Sequence, residues 1–197
     1  MKILFLLPDL FVPPAKGNSY LIYNLLSYVT KHADCDLVLV ADTTINKDNA
    51  VLTIREHFPS VGDILIFDKP AGIKRSQQRA RFLLAGHHQA VGNYWNKSLA
   101  EWLMDRTQRG NYDIVHFDML YMTPYIAYCR NVHTVLVPSD AYSLTSLNIY
   151  KNTRNIKYKA RLLIEYLIMS RCEHKTYHMF DLVCPVAETD SAYLRKK

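Results

Sequence analysis

The sequence has no apolar run long enough to cross a membrane or to serve as a secretory leader. Its first such run, Ile3 to Leu7 behind Lys2, is broken at once by Pro8 and Asp9. That falls well short of the roughly 20 residues a bilayer requires and of a signal-peptide core, so the expected location is cytoplasmic. Cysteine is sparse too. Cys35, Cys129, Cys172 and Cys184 form no C-x-x-C pair and have no histidine at finger spacing, so neither a zinc site nor a disulfide framework is indicated. Reduced, buried thiols are the expectation. With 6 glycines in 197 residues, the chain has no G-x-G-x-x-G, no Walker loop and no G-x-S-x-G elbow, which counts against a self-sufficient nucleotide hydrolase or serine hydrolase. It also has no low-complexity tract and no repeat at a fixed period.

What is present is a globular composition, 49% hydrophobic, in a length that suits one full core. Lysine and arginine number 24 against 18 acidic residues, for a net charge of +6. That balance permits acidic partners, whether nucleotide phosphates, nucleic acid or an anionic membrane surface. Charge alone does not choose among them.

Short apolar runs at Ile3–Leu7, Leu37–Ala41, Asp63–Phe67, Asp113–Phe117, Thr134–Val137 and Leu182–Val186 lack strict alternation and lie between helical patterns. This is the signature of an open α/β fold, a mostly parallel sheet with helices on both faces. Leu21, Leu25 and Tyr28 with Ile22, Leu26 and Val29 form a core-facing stripe behind a cap at Asn18 or Ser19. Trp95, Leu99 and Trp102 form another, with Gly110 as its stop. The longest helix runs from about Ile156 to Tyr177, where Ile156, Ala160, Leu163, Leu167 and Ser170 keep a 4-3-4-3 spacing and Arg161 and Glu165 stand at i,i+4. Weaker helices are expected around Asn49–His57, Ile73–Leu84 and Met122–Cys129, and a last helical turn at 191–197.

Three segments could carry chemistry. The first is the loop from Pro8 to Ser19. Gly17 allows close approach to the backbone ahead of a helix N-terminus, and Asp9, Lys16 and Asn18 supply polar groups at the sheet edge where open α/β folds place ligands. The second is the strand ending His116-Phe-Asp118, whose alternation puts His116 and Asp118 on one face. Asp118 reads either as a carboxylate that orients a hydroxyl or as a helix cap, and His116 as a core histidine. The third is Ser139, Asp140 and Tyr142, rim hydrogen-bonders or turn-formers. Two basic clusters, Lys74, Arg75, Arg79 and Arg81, and Lys151 to Arg161, are candidates for an anionic membrane surface or are solvated helix faces.

In the order and spacing of Met1-Lys-Ile-Leu-Phe-Leu-Leu-Pro with Pro13-Pro14-x-x-Gly17, Tyr112-Asp-Ile-Val-His116, the basic long helix, and Asp181-Leu-Val-Cys-Pro-Val-Ala-Glu-Thr-Asp190, the chain resembles the N-terminal domain of family-4 glycosyltransferases. These are retaining enzymes of GT-B fold. The resemblance spans essentially residues 1–197 and implies a single Rossmann-like domain, one half of a GT-B fold. Such a half holds the acceptor, while a nucleotide-sugar donor is gripped by a C-terminal domain whose Glu-rich motif does not occur in this sequence. The implied chemistry is metal-free and cofactor-free, with electrostatic stabilisation of an oxocarbenium-like transition state. A transferase acting on a lipid-linked acceptor could dock on the inner membrane face through the basic clusters, and with no nucleic-acid motif in the sequence no nucleic-acid partner is expected. Two departures stand out: Lys16 occupies a position where the family often has a glycine, and Asp118 one where many members carry a second histidine. The resemblance carries over Asp118 as the catalytic candidate and Gly17 as a substrate-binding one, with Asp140 as a rim candidate; Asp9, Lys16, Asn18, Ser139 and Tyr142 stand beside them as substrate-binding candidates from their place at the strand-end rim. The alternative is a non-catalytic basic α/β module that binds an anionic membrane or nucleic acid.

Overall fold

A computed structural model describes residues 1–15 and 17–196. Among them, β1 (Lys2–Pro8), β2 (Asp34–Ala41), β3 (Ile64–Asp68), β4 (Ile114–Asp118), β5 (His133–Val137) and β6 (Leu182–Val183) form one sheet in the order β3-β2-β1-β4-β5-β6. Every pairing in it is parallel. The strands are apolar on both sides because both sides are covered. Leu4 and Leu6 enter one core with Val38, Leu99, Leu103, Val115 and Phe117, and Ile3, Phe5 and Leu7 enter the other with Ile22, Leu26, Leu37, Leu39 and Ile54. The fold is thus a doubly wound, Rossmann-like α/β sheet.

Helices α1 (Gly17–Val29) and α2 (Lys47–His57) supply the second core. The first core draws on α3 (Gly72–Leu84), α4 (Lys97–Gln108), α6 (Ile156–Tyr177) and a 3-10 segment, Leu120–Tyr128. Helices α5 (Tyr142–Asn152) and α7 (Glu188–Leu194) complete the set. Sequence periodicity placed α1 to α4 within a few residues, and Gly110 is the stop expected of it, taking φ +69° directly after α4.

Several expectations are corrected. The Met122–Cys129 helix is a 3-10 segment with Pro124 inside it, because proline deprives an α-helix of a donor and crowds the preceding turn. Strand β6 is short: the Cys184 amide still donates to Leu136 O at 2.8 Å, but Pro185 follows and has no amide to extend the ladder. Helix α5 carries no strong apolar period and was not expected. Neither Asn18 nor Ser19 stands ahead of α1 as a cap; both lie within it, and the Asn18 side chain bonds elsewhere. Tyr28, placed in the core stripe of α1, is 67% exposed.

The extent of α6 matches, yet its 4-3-4-3 stripe is not its buried face. Its packed side chains are Leu162, Met169, Cys172, Glu173, Thr176 and Tyr177, whereas Ile156 is 82% exposed and Leu167 56%. Glu165 does not pair with Arg161 either. It stands 2.8 Å from His88 Nε2, tying α6 to the connection after α3. The four cysteines are free. Among the described residues no helix is long and apolar enough to cross a membrane.

Candidate functional site

The chain runs outward through β1, β2 and β3, then returns to lay β4 against the other side of β1. At such a switch point the two flanking connections diverge, leaving a crevice beyond the carboxyl ends of the strands. Here the crevice is a cleft of about 320 Å³, walled by the loop after β1, the first turn of α1, and Tyr94, Asp118, Met119 and Tyr121. Two non-glycine residues adopt left-handed backbone conformations at its edge, Asp9 at φ +89° and Met119 at φ +65°. They sit directly after β1 and β4, where each strand turns out of the sheet, and strained backbone of this kind concentrates at functional sites.

Asp118, the last residue of β4, is 2% exposed. Asn18 Nδ2 donates to its Oδ2 at 3.1 Å, while Oδ1 is buried with no hydrogen-bond partner. Burial pushes the carboxyl up to about 7, and the Asn18 hydrogen bond pulls it back only in part. It therefore exchanges between acid and carboxylate near neutrality and can donate or accept a hydrogen bond. Asn18 is held in turn by Ser139, whose hydroxyl donates to Asn18 Oδ1. One relay thus joins the loop after β5, the start of α1 and the end of β4.

Also lining the cleft, Tyr94 and Tyr121 stack with centroids 5.1 Å apart and planes inclined by 13°. Tyr94 donates to Asp9 Oδ2 at 3.0 Å, and its hydroxyl is held protonated by burial and by the nearby Asp9. The Lys69 ammonium pairs with Asp9, stands 3.5 Å from Asp42, and lies 4.5 Å from the Tyr94 ring centroid. Asp9 is therefore neutralised in place and fixes Tyr94. The Tyr121 ring packs against Tyr142 at 5.8 Å.

The structure brings together Asp9, Asn18, Ser139 and Asp118, with Tyr142 one ring behind them. Gly17 faces open space, with nothing within 4 Å of an added Cβ, and Asp140 is exposed; neither lines the cleft. Lys16 lies outside the described residues. His116 is buried against Phe5, with centroids 4.7 Å apart, and burial lowers it to about 4, so it is a neutral core side chain.

In the first basic cluster, Arg75 Nε bonds Pro70 O at 2.9 Å and its guanidinium stands 3.5 Å from Asp42, and Arg79 donates to Gln89 Oε1 at 2.9 Å. Lys74 and Arg81 remain exposed. Sequence reading missed Tyr94, Tyr121 and Lys69. Tyr121, three residues past Asp118, was within reach of the strand-end argument, whereas Tyr94 and Lys69 arrive from connections with no motif.

A doubly wound α/β protein with a polar cleft at its switch point is the class these features define. No protein-family model matches the chain, and no curated protein matches it. Among the described residues no group of three or more His, Cys, Asp or Glu side chains is placed to hold a metal ion.

Proposed function

We propose that this chain is the acceptor-binding half of a glycosyltransferase of GT-B architecture, moving a sugar from a nucleotide-sugar to a glycan, lipid-linked or small-molecule acceptor. The observation that supports it best is the unsatisfied Oδ1 of Asp118, buried in the lining of a cleft that a pair of stacked tyrosines also lines. Sugars present hydroxyls at their edges and C–H groups on their faces, so a buried carboxyl and an aromatic wall form a complementary pair of contacts. In this reading Asp118 accepts from, or donates to, a hydroxyl next to the reacting centre. Asn18 and Ser139 hold it in position, and the Asp9–Lys69 pair fixes the aromatic wall. The diphosphate is bound by the donor half, which the resemblance to family-4 enzymes assigns to a second domain.

Saturation-transfer NMR on the chain with a panel of mono- and disaccharides tests this. Signals from at least one saccharide are expected. They should disappear in Tyr94→Ala, and Asp118→Asn should weaken binding about tenfold, the equivalent of one lost charge-assisted hydrogen bond. Absence of saccharide binding at millimolar concentration would overturn the site, and robust sugar transfer by the 197-residue chain alone would overturn the division of labour.

A further inference from the structure

The long helix α6 carries its clearest sequence period on the wrong side for a core. At 100° per residue, Leu162, Met169, Cys172, Glu173 and Thr176 define the buried face. Ile156, Ala160, Leu163, Ile164 and Leu167 lie opposite it. The four large ones are 82%, 40%, 59% and 56% exposed respectively. Lys157 and Arg161 flank this outward stripe on one side and Lys159 on the other. Lys151 and Arg154 add charge at the turn from α5, where Ile149 is also 43% exposed. Between Ala141 and Ile164 there are five cationic side chains and no acidic one. None of the five makes an ion pair among the described residues.

We propose that the α5–α6 hairpin docks this protein onto an anionic lipid bilayer, with the outward stripe of α6 in the headgroup layer and the flanking cations on lipid phosphates. An apolar stripe bordered by lysine and arginine, on the side of a helix that faces away from the core, is the arrangement an interfacial helix requires. The apolar component separates a bilayer from nucleic acid. Five cations would suffice for a phosphate backbone, and Ile156, Leu163, Ile164 and Leu167 would gain nothing there. Charge separates it from a second copy of this chain, because two such hairpins face to face would oppose five positive charges with five more. The assignment stands independently of the glycosyltransferase reading, since it involves no sugar. Helix α5 begins at Tyr142, against the Tyr121 wall of the cleft, so a docked hairpin is connected directly to the place where a lipid-linked acceptor would be read.

Co-sedimentation with vesicles of phosphatidylcholine alone, or of phosphatidylcholine with phosphatidylglycerol, tests the proposal. The expected result is binding to the anionic vesicles, weakened by salt. Lys157→Gln and Arg161→Gln should each reduce it about fivefold. The double variant Leu163→Ser, Leu167→Ser should lose most of it while its circular dichroism stays that of the folded parent, because neither side chain belongs to the buried face of α6. An Ile164→Trp variant should show a blue-shifted emission on adding anionic vesicles. Equal binding to both vesicle types, or full binding by the double serine variant, would overturn the proposal. So would tighter binding of a single-stranded RNA homopolymer that the serine variant retains, or a stable dimer that this variant dissolves. Saccharide binding in the NMR experiment is unaffected by any of these outcomes, so the two readings fail separately.

Discussion

Asn18 on α1 donates its amide Nδ2 to Asp118 Oδ2 at 3.1 Å, joining residues 100 positions apart across the β1–β4 switch. Among the described residues it is the one side-chain hydrogen bond that favours the ionised form of a carboxyl which burial otherwise keeps protonated. Asn18→Leu keeps the approximate volume and removes the donor. The Asp118 midpoint, followed by carbon-13 NMR of the carboxyl, should then move above about 7 and sharpen the pH dependence of ligand binding. Loss of such a bond costs roughly 1–3 kcal/mol, so a melt at pH 8 should fall measurably. A midpoint in the ordinary range near 4 in either protein would contradict the burial argument.

Gly92 lies in the 3-10 segment Gln89–Asn93, packed against α3. A Cβ there would stand 2.7 Å from Arg79 N and 2.7 Å from Gln78 C, both backbone atoms, so no side chain can swing away to relieve the clash. Gly92→Ala is expected to cost about 1–3 kcal/mol, read as a lower denaturation midpoint. Gly17→Ala is the control. An added methyl there meets nothing within 4 Å, so its stability should stay within about 0.5 kcal/mol of the parent.

The sheet was legible because buried parallel strands are written as short apolar runs, and five of the six runs lie within a few residues of their strands. Asp118 was legible for a related reason: a polar residue ending such a run must emerge at the carboxyl edge. Alternation also paired it with His116, but burial gave that side chain a packing role. The aromatic pair was legible only in half. Tyr121 follows the end of β4 closely enough for the strand-end argument to reach it, but its partner Tyr94 arrives from the end of a 3-10 connection, and nothing in the spacing of 14 tyrosines singles it out. The α6 stripe shows the limit of periodicity. A 3.6-residue repeat reports that a helix has an apolar face; it does not report whether the protein's own core covers that face.

His88 links the connection after α3 to α6. Its Nδ1 accepts from the Ala90 amide at 3.2 Å, which leaves the proton on Nε2, 2.8 Å from Glu165 Oε1. Burial lowers the imidazole from its ordinary value, opposed by Glu165. A depressed histidine contributes stability above its unfolded value near 6.5 that is lost as pH falls through the folded value. Glu165→Gln removes the opposing charge and deepens the depression. Its melt should therefore match the parent closely at pH 8 and fall below it by about 2–4 °C at pH 5. Parallel melting curves across that range would show that Glu165 does not act on His88.

His116 and Asp118, two residues apart on β4, tilt stability with pH in opposite directions. His116 is lowered to about 4 by burial. Unfolding lets it take up a proton, so its contribution is complete above about 6.5 and drains away as pH falls toward 4. Asp118 is raised to about 7 by burial, so its contribution is complete below its unfolded value near 3.8 and is lost as pH rises toward 7. Between those limits one proton is gained on unfolding and one released, and the two slopes cancel. Asp118→Asn removes one side of the balance. The variant's stability relative to the parent should therefore climb with pH by about 1.4 kcal/mol per pH unit through this window, measured by urea denaturation at a series of pH values. His116→Leu should show the opposite tilt relative to the parent, by a similar amount. A constant difference between Asp118→Asn and the parent would mean that Asp118 ionises in the folded protein as it does in the unfolded chain, which its burial with an unsatisfied Oδ1 does not allow.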